Sequence, residues 1–163
     1  MWLLYLLFAA MLTFVGTFRA FVPQVALDPA PAPIIVGAEE QQILKLINDL
    51  RASHGVGPLS YDVRLERVGD TRATQLPENG PLIHENYEEL GIEQGITGGV
   101  FGENLARASS IEYAWELFLG SPSHYENFNR PGWLTVGIGI EHRGGTVYIA
   151  IEFHALTLDP PYS

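Results

Sequence analysis

The sequence predicts an α+β domain in which helices cover a small antiparallel sheet. Apolar residues recur at helical spacing in the first half of the globular part, whereas they alternate with a period of two near the C-terminus. Of the 163 residues, 47% are hydrophobic and 17% are charged, which is enough apolar sequence for one folded core. Helices that precede strands, rather than alternating with them, are typical of the α+β class.

The chain begins with an apolar segment, residues 1–22, whose only charged side chain is that of Arg19. A membrane-spanning helix needs about 20 apolar residues, and this segment reaches that length. A cleaved signal peptide needs a basic start and a small-x-small cleavage site, and neither is clear here. We therefore expect an uncleaved membrane anchor rather than a cleaved signal. Residues 23–38 are rich in proline and alanine, which favours an extended stalk.

Residues 39–163 form the predicted globular domain, which begins with two helices. The first spans Glu39–His54, and Gly55 ends it. The second spans Asp62–Leu76, and Pro77 follows its end. The sequence after it is rich in proline, glycine and acidic residues, with one predicted helical turn at Tyr87–Leu90.

A further helix is predicted from the motif Ser109-x-x-Glu112, which has the form of a capping box. It carries Trp115 and Phe118 on one face and ends at Gly120. We expect Trp115 and Phe118 to pack against the C-terminal strands and to form part of the core.

The C-terminal part has the pattern of a β-hairpin. Apolar residues alternate over Val136–Ile140 and again over Val147–Phe153. The residues His142–Gly145 lie between these runs and end in two glycines, which favours a tight turn.

The charge and the cysteine count exclude several classes of function. The chain contains nine Lys and Arg residues and 19 Asp and Glu residues, so its net charge is −10. We therefore expect no nucleic-acid partner, since phosphate binding needs a basic surface. The absence of cysteine excludes disulfides, thiolate zinc sites and cysteine nucleophiles.

Three residues are candidates for a functional site. His84 and His124 lie in irregular sequence beside acidic residues, and Glu103 is flanked by apolar Phe101 and Leu105. A carboxylate in apolar surroundings is costly unless it is paired or bound to a cation. Two imidazoles and a carboxylate suit a zinc-type divalent site, but they equally suit general acid–base chemistry. No site role is expected for the remaining histidines, which are His54, His142 and His154.

The order of several short motifs resembles a known family. They are Asn48-x-x-Arg51, Gly55-x-x-Pro58-Leu59, His84, Gly102-Glu-Asn-Leu-Ala106, Trp115, Ser121-Pro-Ser-His-Tyr-Glu-Asn127 and Val136-Gly-Ile-Gly139. Together they resemble the CAP superfamily of cysteine-rich secretory, antigen 5 and pathogenesis-related 1 proteins. The likeness is greatest to its short, cysteine-free prokaryotic branch of SCP-like extracellular domains, and it covers residues 43–153.

The resemblance implies an α-β-α sandwich with a central cleft that two histidines and two acids line. By similarity, His84, Glu103 and His124 take three of these positions and are the ligands expected for zinc or another divalent metal. The second acid stays open at this point. Glu126 is nearest by motif, whereas Glu116, which follows a tryptophan, matches the pattern of eukaryotic members.

The resemblance also implies a class of function. The family is known for binding and signalling more than for one chemistry, so the resemblance implies a non-enzymatic binding module. Its expected location is the extracellular face of the membrane, or the outside of the cell if residues 1–22 are cleaved and the protein is secreted. The expected partner is an extracellular protein, lipid or glycan. One alternative is a hydrolase in which His124 or Glu103 acts as the base, although Ser121 and Ser123 lie in no nucleophile motif. Another is a structural cell-surface protein.

Overall fold

The computed structural model describes residues 36–156, all of which fall in one compact unit. The helices are α1 (Ala38–Ser53), α2 (Val63–Gln75), α3 (Tyr87–Glu93), α4 (Ile111–Gly120) and α5 (Pro122–Asn129), and the strands are β1 (Ser60–Tyr61), β2 (Val100–Ala108), β3 (Thr135–Arg143) and β4 (Thr146–Ala155). The predicted anchor and nearly all of the predicted stalk lie outside the described residues. Within residues 36–156, no helix is both long and apolar enough to cross a membrane.

The four strands form one mixed sheet in the order β1-β3-β4-β2. The predicted hairpin is present as β3 and β4, and both glycines of its two-residue loop have positive φ, as a type I′ turn requires. The prediction of a purely antiparallel sheet was wrong at one edge, where the short β1 pairs with β3 in parallel. The sequence pattern also missed β2, which pairs with β4 in antiparallel register.

Helices cover both faces of the sheet, which confirms the α-β-α arrangement. On one face, α2 packs against alternate residues of β2 and β4 in a small apolar cluster that includes Leu105 and Tyr148. On the other face, α1, α4 and α5 enclose the larger core with the opposite residues of β3 and β4. Both faces of the hairpin are therefore buried.

Glycines allow α2 to approach the sheet closely. A Cβ atom at Gly139 of β3 would overlap the main chain of Gly69 in α2. A Cβ atom at Gly137 would overlap the main chain at Leu65. The contact therefore requires glycine on this face of β3, and it holds Arg72, one turn after Gly69, over the sheet.

Two details of α4 and α5 differ from the sequence prediction. The N-cap of α4 is Ser110 rather than Ser109, and its hydroxyl accepts a hydrogen bond from the Tyr113 amide at 3.2 Å. The segment after it, predicted to be irregular, is the helix α5, with Pro122 at its first position. Proline suits that position because its fixed φ is helical and its missing N–H would have no partner there.

The aromatic core is also arranged differently from the prediction. Phe118 is buried, but Trp115 is only half-buried and packs on Phe128 of α5, with ring centroids 5.2 Å apart. It is Phe128 that reaches the hairpin, 5.9 Å from the ring of Phe153. The fully buried tryptophan is Trp133, which stacks on Phe153. Phe118 thus lies in the same core as the hairpin, as predicted, whereas Trp115 packs at the edge of that core.

Candidate functional site

The candidate site is built around Glu103, in the edge strand β2. Its side chain is fully buried on the α2 face of the sheet. Oε1 accepts a hydrogen bond from Nε of Arg72 at 2.6 Å, and Oε2 accepts one from Nδ1 of His84, also at 2.6 Å. Each oxygen of this carboxylate therefore has a charged or strongly polar donor, which is what a buried carboxylate needs.

Arg72 also fixes the loop that carries His84. Its guanidinium group is 1% exposed and donates to the main-chain oxygen of Ile83 at 2.7 Å. It also donates to the side-chain oxygens of Gln75 and Asn86. One buried arginine thus joins α2, β2 and the loop before α3.

His84 is held in a defined orientation at the surface. Its side chain is 51% exposed, while Nδ1 donates to the buried carboxylate of Glu103. A histidine whose one ring nitrogen donates to a carboxylate has a fixed tautomer and ring plane, and its other nitrogen becomes a better ligand. Only Nε2 of His84 is left to contact a ligand.

His124 lies in the first turn of α5, on the other side of β2. Its half-buried ring packs edge-on against Phe118, with centroids 5.3 Å apart. Its main-chain oxygen accepts a hydrogen bond from the side chain of Asn104, the residue after Glu103. Burial lowers the pKa of His124, and the charge of the neighbouring His84 lowers it further.

The predicted ligands His84, Glu103 and His124 are not grouped as one three-ligand site in the described part of the chain. Within residues 36–156, no three or more histidine, aspartate or glutamate side chains are grouped so that they could hold a metal ion. The Glu103 side chain is fully buried, and each of its oxygens accepts a hydrogen bond from Arg72 or His84, which makes this carboxylate a partner of those two side chains. The structure therefore joins His84 to Glu103, whereas His124 is tied to β2 through its main-chain oxygen and Asn104.

Neither acid considered from the sequence joins this cluster. Glu116 and Glu126 are both exposed, on α4 and α5, and neither forms a hydrogen bond or ion pair with the three cleft residues in the described part of the chain. The acid beside Glu103 is Glu152 of β4, its direct partner in the sheet register. The sequence offered one signal for it, a single charged residue within an apolar strand.

Glu152 is buried without a charged partner of its own. It is 1% exposed, and neither carboxyl oxygen has a hydrogen-bond partner among the described residues. Burial raises its pKa well above the ordinary value, and the adjacent carboxylate of Glu103 raises it further, while Arg72 partly opposes this shift. Glu152 is therefore held protonated over a pH range in which a solvated glutamate is ionised.

Glu152→Gln is expected to flatten the pH dependence of stability. Because the folded state holds this proton more tightly than the unfolded state, the wild type loses stability as pH rises from about 4.3, by roughly 1 kcal/mol per pH unit up to the folded pKa. Glutamine resembles the protonated acid and has no proton to lose. Urea unfolding at several pH values measures this, with the exposed Glu116→Gln as the matched control. Equal slopes for wild type and Glu152→Gln would show that Glu152 is ionised in the fold.

Comparisons with known proteins agree with this architecture. The sequence profile of the cysteine-rich secretory protein family, CAP, matches residues 44–157. Pathogenesis-related protein 1 of Arabidopsis thaliana is 33% identical over 99 residues, which are 60% of this chain and 54% of that protein. The chain thus spans about half the length of this curated relative.

Solved structures share the fold at low sequence identity. An extracellular protein containing an SCP domain from Bacillus anthracis matches with a TM-score of 0.64 and 20% identity, over 72% of this chain and 40% of that one. NaASP2, whose crystal structure was determined with Zn²⁺, matches with a TM-score of 0.54 and 16% identity, over 74% of this chain and 81% of that one. At these identities, the likeness is one of fold.

Proposed function

Because the chain belongs to the cysteine-rich secretory protein (CAP) family, we propose that it is an extracellular, non-enzymatic binding domain whose ligand contacts are His84 and His124. The observation that carries this proposal is the 2.6 Å hydrogen bond from His84 Nδ1 to Glu103, which leaves Nε2 of a half-exposed imidazole for a ligand. The extracellular location is supported by the bacterial SCP-domain protein of the same fold, which is described as extracellular.

The hydrogen bonds of the cleft favour binding over hydrolysis. A general base must be free to accept a proton from the attacking water or hydroxyl. The Glu103 side chain is fully buried, and each of its oxygens already accepts a hydrogen bond, so it does not meet an attacking water at the surface. The hydroxyl of Ser121 pairs with that of Ser123 at 3.2 Å, which makes no nucleophile–base pair with a histidine. Among the described residues the geometry thus orients the His84 imidazole but pairs neither of these serine hydroxyls with a histidine.

A divalent cation is one ligand that such a cleft would take. Zn²⁺ accepts neutral imidazole nitrogens at about 2.0–2.1 Å, and a site with open positions keeps water or a partner's group. His84 and His124 would supply the protein nitrogens, and Glu103 would orient His84 from behind. The zinc-containing structure of NaASP2 supports testing this ion first.

We propose further that residues 1–22 anchor the protein in a membrane and that residues 23–38 hold the domain away from it. The support is the apolar length of the first segment and the alternating prolines of the second. With the domain displayed outside the cell in this way, the cleft faces extracellular partners.

A calorimetric titration of the full chain with zinc, in mild detergent near neutral pH, tests the ligand contacts. We expect His84→Gln and His124→Gln each to weaken binding at least about tenfold, because each removes one of two ligating nitrogens. His142→Gln is the matched control, since His142 is 56% exposed and also pairs with a glutamate, Glu39, at 2.9 Å. The control should leave binding unchanged.

Acidification should weaken zinc binding in the same experiment, because a protonated imidazole cannot ligate. His124 should stay neutral below the ordinary histidine pKa of about 6.5, since burial lowers its own pKa. No zinc binding, or binding that survives both cleft substitutions, would contradict the assignment of His84 and His124 as the ligand contacts.

A further inference from the structure

The strand that carries Glu103 has an open edge. The strand order places β2 at one side of the sheet, paired only with β4. In the part of the chain that the structure describes, the main chain of β2 makes no hydrogen bond outside the sheet. The outward N–H and C=O groups of an edge strand are a template on which another extended chain can pair. Arg107 ties the second half of β2 to the loop at Pro77 and Gly80, so the first half is the more open part.

A cavity lies beside the start of this strand. Its volume is about 340 Å³, and its lining residues are Glu88, Ile92, Gly98, Gly99, Val100 and Phe101. That volume is at the small end of ligand pockets, which start at about 300 Å³, and suits one apolar side chain. Ile92, which also lines it, is 59% exposed and adds apolar surface at its entrance.

The segment that leads into β2 and contributes the cavity lining is acidic. Residues 77–101 contain five glutamates and neither lysine nor arginine, within a chain whose net charge is −10. One of these glutamates, Glu88, lines the cavity itself. A ligand for this surface therefore needs positive charge near its apolar group.

We propose that the open edge of β2 binds an extended, basic peptide segment of a partner protein, with one apolar side chain of that peptide in the cavity. Main-chain hydrogen bonds to an edge strand supply affinity in this mode, and a pocket for one side chain supplies specificity. From Val100 to Glu103 the strand advances about 10 Å, so a bound peptide that starts at the cavity reaches the His84–Glu103 pair. The inference rests on the proposed binding function and specifies the class of its partner.

Hydrogen–deuterium exchange of the full chain in mild detergent tests the proposal. The probe is a synthetic peptide as long as the nine residues of β2, in which lysine and threonine alternate around one central leucine. Its low apolar content limits binding to detergent. We expect the peptide to slow exchange at those amides of residues 100–104 that point away from β4. A second peptide, N-methylated at alternate residues, retains charge and side chains but cannot form the strand ladder, and should give no protection.

Substitutions on the exposed surface complete the test. Ile92→Lys should weaken peptide binding at least about tenfold, because it places a cation at the rim of the apolar cavity. Leu117→Lys, at another exposed apolar residue, on α4, is the matched control and should leave binding unchanged.

Three results would overturn the proposal: no protection at peptide concentrations of about 1 mM, equal protection by the N-methylated peptide, or protection confined to another surface. Zinc binding that depends on His84 and His124 would still stand in each case, so failure of the peptide proposal is distinguishable from failure of the proposed function.

Discussion

Arg72→Leu is expected to destabilise the domain by about 3–5 kcal/mol, because it leaves the carboxylate of Glu103 buried without its cation. Glu103 is fully buried, and the adjacent Glu152 can supply no positive charge. The substitution also frees the main-chain oxygen of Ile83, and with it the loop that carries His84. Urea unfolding of the full chain measures the loss directly.

Two further variants separate charge from packing in this prediction. Arg72→Leu combined with Glu103→Gln should recover part of the lost stability, since the double variant contains no unpaired buried charge. Arg64→Leu is the control, because Arg64 is 48% exposed and its ion pair with Asp62 lies at the surface, where such pairs contribute about 0–1 kcal/mol. A loss for Arg72→Leu no larger than that for Arg64→Leu would show that Arg72 does not stabilise the site.

Phe118→Ala is expected to destabilise the domain by about 3–5 kcal/mol, a large share of an ordinary folding stability of about 5–15 kcal/mol. Phe118 is 1% exposed and packs edge-on against Phe128 and against the ring of His124. Its removal leaves a cavity between α4 and α5 that the surrounding rings cannot fill without moving. Thermal or urea unfolding measures the effect.

Trp115→Ala should destabilise the domain less than Phe118→Ala, although tryptophan is the larger side chain. Trp115 is only half-buried and contacts the core from its rim, through Phe128. Tyr113→Ala is the surface control, since Tyr113 is 48% exposed on the same helix. A larger loss for Trp115→Ala than for Phe118→Ala would identify Trp115 as the anchor of α4 instead.

The hairpin could be predicted from the sequence, but β2 could not. Alternating large apolar residues indicate strands, and β3 and β4 contain such runs on the face that packs against α1, α4 and α5. In β2, by contrast, Gly102, Glu103 and Asn104 interrupt the pattern. Tertiary contacts satisfy these residues, since Glu103 pairs with Arg72 and His84, whereas Asn104 bonds to α5. These partners lie far away in the sequence, so the local sequence pattern of β2 could not reveal them.

The same reason explains which parts of the site could be predicted. The family resemblance identified His84, Glu103 and His124, and the structure joins the first two directly. Glu152 could not be found in this way, because its place beside Glu103 depends on the register of β2 against β4. Arg72 was not expected to take part either, since it reaches the site only because α2 packs closely on the glycines of β3.

The most direct test of the central claim is a ¹⁵N spectrum of the histidine side chains, recorded as Zn²⁺ is added to the full chain. The claim is that Glu103 orients His84 so that Nε2, together with His124, contacts the ligand. It predicts a proton on Nδ1 of His84 before zinc is added, and zinc-induced shifts at Nε2 of His84 and at one nitrogen of His124. A proton on Nε2 of His84, or shifts confined to the other histidines, would contradict it.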